Sequence, residues 1–245
     1  MPDIVDFSIP EGWLDLDEKK LKYLFGLMAQ GRPSEEIKTL CLLLWSGTQV
    51  IGRQNHGHLL KQRNRLFKVT STSIAELLSA LDWIDDLPPV PVRLSRIDRR
   101  DALAADFQGV PFETYIICDN LYQGYLHTKD DGLLDQIAGV LYPGKKKLSL
   151  DATERVAVFY WMTSLKGFFS RRWPDFFQSS PVDTADLPEV FGNRLQEAMD
   201  AQIRALTKGD ITREAEILAI DTWRALTELN TQAREYKQLK AATKR

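Results

Sequence analysis

Apolar residues recur at helical spacing over most of the chain. From Asp17, Leu21, Leu24, Phe25 and Met28 form one stripe that stops at Gly31, which predicts a first helix over residues 17–30. After "RPSEE", Ser34 is the expected N-cap of a second helix with Ile37, Leu40, Cys41, Leu44 and Trp45 on its apolar side and an end near Gly47. The period then changes. "TQVIGRQ" and "RLFKVTS" carry β-branched residues on either side of the polar stretch "NHGHLLKQRN", a pattern that predicts a short hairpin with a long tip. Ser73 and Glu76 stand at capping-box spacing, so a third helix is expected from Ile74 to about Trp83.

"LPPVPVRLSRI" interrupts this pattern, since its clustered prolines fit neither a helix interior nor a central strand. Beyond it the chain reads as helical. Phe112, Tyr115, Ile116, Tyr122 and Leu126 give one stripe, and Leu133, Leu134, Ile137, Ala138 and Leu141 give the next, which together predict an αα-hairpin. Asp151 and Glu154 open "ATERVAVFYWMTSLKGFF", which is apolar nearly all round and is expected to be the central helix of a core, ending before Pro174. A polar linker, "QSSPVDTADLP", leads to a helix over about 189–206. The last stripe, Ile211, Ala215, Leu218, Thr222, Leu226, Leu229, Ala233 and Tyr236, predicts one helix of about 30 residues and ~45 Å over about 212–242. The expected architecture is mainly α-helical. It has a small α+β N-terminal part with a β-hairpin at 1–87, a proline-rich connector at 88–111, and a helical part with a long terminal helix at 112–245.

Composition narrows the function classes. A chain of 245 residues, 44% hydrophobic and 27% charged, is able to bury a sizeable core. Its formal net charge of −2 supplies no global field for nucleic acid or an anionic membrane. The start "MPDIVDFSIPEGW" lacks the cationic and apolar regions of a signal peptide, and apolar runs such as residues 40–45 fall far short of the roughly 20 residues a bilayer span needs, so the expected location is the cytoplasm. Cys41 and Cys118 each lie alone among apolar residues and read as buried, reduced thiols.

Few motifs carry chemistry. His56 and His58 form an H-x-H pair, but Asn55 and Gly57 mark a turn and no third ligand is near, so no metal is expected. His127 suits the C-terminal end of its helix as a cation. Asp82, Asp85 and Asp86 resemble an acid cluster, yet they stand at a helix end, where acids are unfavourable; that arrangement calls for a basic segment close by. There is no G-x-S-x-G and no glycine-rich phosphate loop. No catalytic residue and no cofactor are expected. Basic clusters occur at 61–65, 93–100, 144–147, 171–172 and the C-terminus, but they are dispersed and balanced by acids, and Asp130, Asp131 and Asp135 would repel phosphate from the second helix of the hairpin.

Three stretches, "FSIPEGWLDLDEKKLKYLFGLMAQG", "DFQGVPFETYIICDNLYQGYLHTKDDGLLDQIAGVLYP" and "AQIRALTKGDITREAEILAIDTWRALTELNTQAREYK", together resemble a group of proteins from Bacteroidetes prophages and related mobile elements. The resemblance implies a role in virion assembly or a tail module, such as a tail assembly chaperone or a connector component, and carries no catalytic residues over.

The reading that follows is a non-catalytic protein-interaction protein of a phage or phage-like particle, in the host cytoplasm or in the particle. Its partners would be phage structural proteins or further copies of itself, with neither nucleic acid nor membrane expected. The expected contact residues are Leu229, Ala233, Tyr236, Lys237, Leu239 and Lys240, because the stripe thins there and the final nine residues add four basic charges and no acid. Two alternatives have distinct signatures. A nucleic-acid-associated protein needs 61–68, 93–100 and 145–147 on one face; a metal-dependent enzyme needs His56 and His58 to meet a carboxylate.

Overall fold

The computed structural model describes residues 9–54, 57–177 and 188–243. The fold is mainly helical, with one small antiparallel sheet near the N-terminus and a long terminal helix. The chain divides into two compact units between Pro88 and Pro89.

The first unit opens with α1 (Glu18–Ala29), whose N-cap Asp17 accepts from the Lys20 N–H, and Gly31 leaves the helix region with φ +65°. In α2 (Ser34–Ser46) the residue before the helix is Pro33; Ser34 is thus the first helical residue, not the cap, and its hydroxyl reaches Asp85. The segment expected to be a long hairpin tip is itself a strand. β1 (Thr48–Gln54), β2 (Gly57–Gln62) and β3 (Arg65–Thr70) form a three-stranded antiparallel meander, with a bulge in β1 between Val50 and Gly52. Only Leu59 and Leu60 of β2 are apolar, too few for alternation to show, and β2 is held mainly by pairing on both sides. A side chain at Gly57 would collide with the Val69 carbonyl, so the close pairing there requires glycine. The helix α3 (Ser71–Ser79) starts three residues earlier than the capping-box spacing predicts, because Thr70 and not Ser73 is the N-cap: its hydroxyl accepts from the Ser73 N–H. A 3₁₀ turn at Asp82–Ile84 follows where the third helix was expected to continue. The core packs Leu24, Phe25, Cys41 and Leu81, and Trp13 pins the N-terminal segment by donating to the carbonyls of Trp83 and Asp86 at 3.1 Å.

In the second unit residues 89–111 pack against the helices that follow. They include the two-residue strands β4 (Arg96–Ile97) and β5 (Arg100–Asp101), and they bury Leu94, Ile97, Phe107 and Val110. The αα-hairpin consists of α4 (Phe112–Thr128) and α5 (Asp131–Leu141). At the centre lies α6 (Ala152–Arg172), begun by a complete capping box between Asp151 and Glu154 and buried through Ala157, Val158, Trp161, Met162, Leu165 and Phe169. Phe107 meets Tyr115, Trp161 and Phe169 edge to face, and the Trp161 indole donates to the Ala105 carbonyl at 2.7 Å. After α7 (Pro174–Phe177) the linker at 178–187 lies outside the described residues, and α8 (Pro188–Thr207) follows.

The C-terminal segment is not one helix. A 3₁₀ turn at Ile211–Arg213 leads into α9 (Glu214–Ala219), which ends at Ile220 in extended conformation, and α10 (Thr222–Thr243) begins anew. The interruption comes from the 109–112 segment. Phe112 N–H donates to the Ile220 carbonyl and Thr222 N–H to the Val110 carbonyl, both at 2.8 Å. Asp221 accepts from Gly109 N–H with one oxygen and caps α10 by accepting from Arg224 N–H with the other. This local pairing outweighs the helical propensity of a stretch with neither Gly nor Pro.

Candidate functional site

α10 is built in two halves. Its first half buries Ala225, Leu226 and Leu229 and is tied to neighbouring elements by side-chain hydrogen bonds: Trp173 Nε1 donates to Thr227 Oγ1, and Phe176 N–H donates to Asn230 Oδ1, both at 3.1 Å. The Arg172 guanidinium lies 4.2 Å from the ring centre of Trp223, which covers the junction with α6. Leu229, one of the expected contact residues, is 4% exposed and is therefore core. Ala233 is half-buried. From Arg234 to the end of the described helix every residue is exposed, with Tyr236 at 66% and Leu239 at 69%. Lys237 pairs with Asp175 at 3.1 Å, and Lys240 lies 6.0 Å from the Tyr236 ring. Tyr236 and Leu239, three residues apart, are neighbours on the helix surface. Together they form an apolar spot framed by Arg234, Lys237 and Lys240, with Glu235 as the acid among them.

The acids at 82–86 have a structural partner. Lys38 of α2, with its side chain 4% exposed, places Nζ 2.6 Å from both Asp82 and Asp85. Hydrogen bonds that the ammonium donates to Asp82 and then to Asp85 hold it above its ordinary range, and those that Lys38 and Ser34 donate hold the Asp85 carboxyl below its own. This is the basic neighbour that acids at a helix end call for, and it fastens α2 to the 3₁₀ turn.

His58 sits half-buried on β2, paired with Val69 on one side and Arg53 on the other, while His56 lies outside the described residues. Among the described residues no group of three or more His, Cys, Asp or Glu side chains is placed to hold a metal ion. Burial pushes the Cys41 thiol up to about 12, and burial with the nearby Asp119 raises Cys118 as well, so neither supplies a thiolate near neutral pH. No described helix is long and apolar enough to cross a membrane.

The basic clusters fall into different surroundings. In the second unit Arg96 pairs with Asp101 at 2.5 Å, Arg100 lies 3.8 Å from Asp98, and the Arg100 guanidinium donates to the Lys146 carbonyl at 2.7 Å, so the 93–100 and 145–147 stretches meet there among acids. In the first unit no acid occurs in sequence between Glu36 and Glu76, a span that contains the whole sheet. Arg53, Lys61, Arg63, Arg65 and Lys68 are all exposed on it, and none forms an ion pair with a described carboxylate. The near-neutral balance of the whole chain conceals this segregation, and the acid-free window is the signal that reveals it. Compared with models of protein families, with curated proteins and with solved structures, the chain matches none.

Proposed function

We propose that this chain is a non-catalytic binding protein that docks an acidic, partly apolar surface of another protein through the last turns of α10. The observation that supports this reading is the exposure of Tyr236 and Leu239 beside Lys237 and Lys240, on a helix whose first half is anchored in the core. The anchored first half aims the end at its partner and confines the backbone ordering that association requires to the last turns. Tyr and Leu supply apolar area at the centre of such a contact, and the surrounding cations steer an acidic partner towards it. The resemblance to prophage proteins supplies the setting, assembly of a tail or connector of a phage-like particle in the host cytoplasm or within the particle.

The test is co-expression with the products of neighbouring genes followed by affinity capture. The wild-type chain should retain one of those products, and a Tyr236→Glu/Leu239→Glu variant should lose it with its thermal melting unchanged, because both side chains are exposed. Capture that survives the double substitution would overturn the assignment of the surface.

A further inference from the structure

A second surface lies on the sheet of the first unit and does not depend on α10. Cross-strand pairing places Leu60, Val69 and Thr48 on the buried face. The opposite face carries Lys61 beside Leu66 and Lys68 beside Leu59, so the two lysines are diagonal neighbours on adjacent strands, roughly 7–8 Å apart at the backbone. Arg63 occupies the two-residue connection between β2 and β3, and Arg65 begins the returning strand. Like charges so placed, with no acid among them, disfavour the isolated sheet unless negative charge is supplied from outside. Arg63 also holds φ +54°, a left-handed conformation that Gly or Asn adopts at lower cost, so the tip keeps a guanidinium at some expense in backbone strain.

We infer that the β2–β3 ribbon binds the phosphate backbone of duplex DNA, with its Arg63–Asn64 tip directed into the major groove. Three observations favour this occupant. Lysine is depleted at the core of protein–protein interfaces, and here Lys61 and Lys68 lie on the outer face itself and not, as Lys237 and Lys240 do, around an apolar spot, an arrangement that suits phosphate. The outer face of the ribbon has no aromatic side chain: Phe67 pairs with Leu60 on the opposite face, so a stacking platform for single strands is missing. Beyond Gln62, where the β1 pairing ends, only the narrow Arg63–Asn64 turn projects from the three-stranded sheet, and such a tip fits the ~12 Å major groove of B-form DNA, while the major groove of duplex RNA is too narrow for side chains to read. The cations contact backbone on both strands of the groove; Asn64 at the tip is the residue placed to touch base edges.

The experiment is fluorescence anisotropy of the full chain with a short blunt-ended DNA duplex of mixed sequence, repeated over a salt series. With about four phosphates neutralised, log K should fall against log salt with a slope of about −3.6, which is about a hundredfold loss between about 50 and 200 mM. A Lys61→Gln/Arg63→Gln/Lys68→Gln variant should bind at least about tenfold more weakly at low salt, with the slope reduced by about 0.9 per removed contact. Lys61→Arg/Lys68→Arg should bind as wild type, and so should Lys145→Gln/Lys146→Gln/Lys147→Gln in the second unit. The inference is overturned if the wild type shows no salt-dependent binding, or if the triple Gln variant melts and binds as wild type. A single strand bound more tightly than the duplex, or polyglutamate displacing the duplex at equal charge, would also overturn it. The Tyr236→Glu/Leu239→Glu variant should keep its DNA binding, so failure of this inference and failure of the α10 proposal are separable.

Discussion

Lys38 shows how one residue settles the meaning of several others. Three acids near a helix end resemble either a metal site or a general acid–base pair, and the buried ammonium between Asp82 and Asp85 makes two of them a tether. Asp85 is held below its usual range by Lys38, so its contribution to stability is fully present above its ordinary value of 3.8 and is lost as pH falls through the lowered folded value. The carboxylate is half exposed, which limits that contribution to under about 1 kcal/mol. Urea unfolding should therefore find Asp85→Asn less stable than wild type at pH 6, with the gap narrowing progressively below pH 3.8. A gap independent of pH would mean that the pair contributes nothing through charge. The need for a basic neighbour was legible in the sequence, but which lysine supplies it was not, because Lys38 is distant in sequence and lies on another helix.

At the scale of elements, strong periodicity was the most reliable guide. The stripes of α1, α4, α5 and α6 and the capping box at Asp151 and Glu154 predicted helices that the fold contains, since each helix buries one contiguous apolar face or is buried outright. The failures have tertiary causes. β2 has the composition of a polar loop and becomes a strand through its two neighbours. The break between α9 and α10 comes from hydrogen bonds to residues 109–112, more than a hundred positions away, and only Asp221, an N-cap residue type, marks it in the sequence. Replacing Asp221 by Ala removes the cap of α10 and leaves Gly109 N–H without this acceptor, for an expected loss of about 1–2 kcal/mol in chemical denaturation. A loss within a few tenths of a kcal/mol would show that the remaining backbone pairing of Val110 and Phe112 sustains the break alone.

Across the whole molecule, charge is segregated while its sum is near zero. Arg96, Arg100, Arg155, Lys166 and Lys237 of the second unit all have carboxylate partners, whereas the sheet of the first unit displays its cations without any among the described residues. The net charge of −2 is thus a poor guide to what either unit binds. The exposed end of α10 was legible as a thinning stripe with a basic finish, but the stripe ran on through Leu229, and burial alone separates that core residue from the exposed Tyr236 and Leu239. The central claim is that these last turns stay open in the free protein and are covered by its partner. Amide hydrogen exchange along α10, with and without the captured partner, tests this most directly. Slow exchange around Leu226 and Leu229 in both states, with fast exchange beyond Arg234 in the free chain that becomes slow in the complex, is the predicted result. Slow exchange beyond Arg234 already in the free chain, or no change there on binding, would contradict the account.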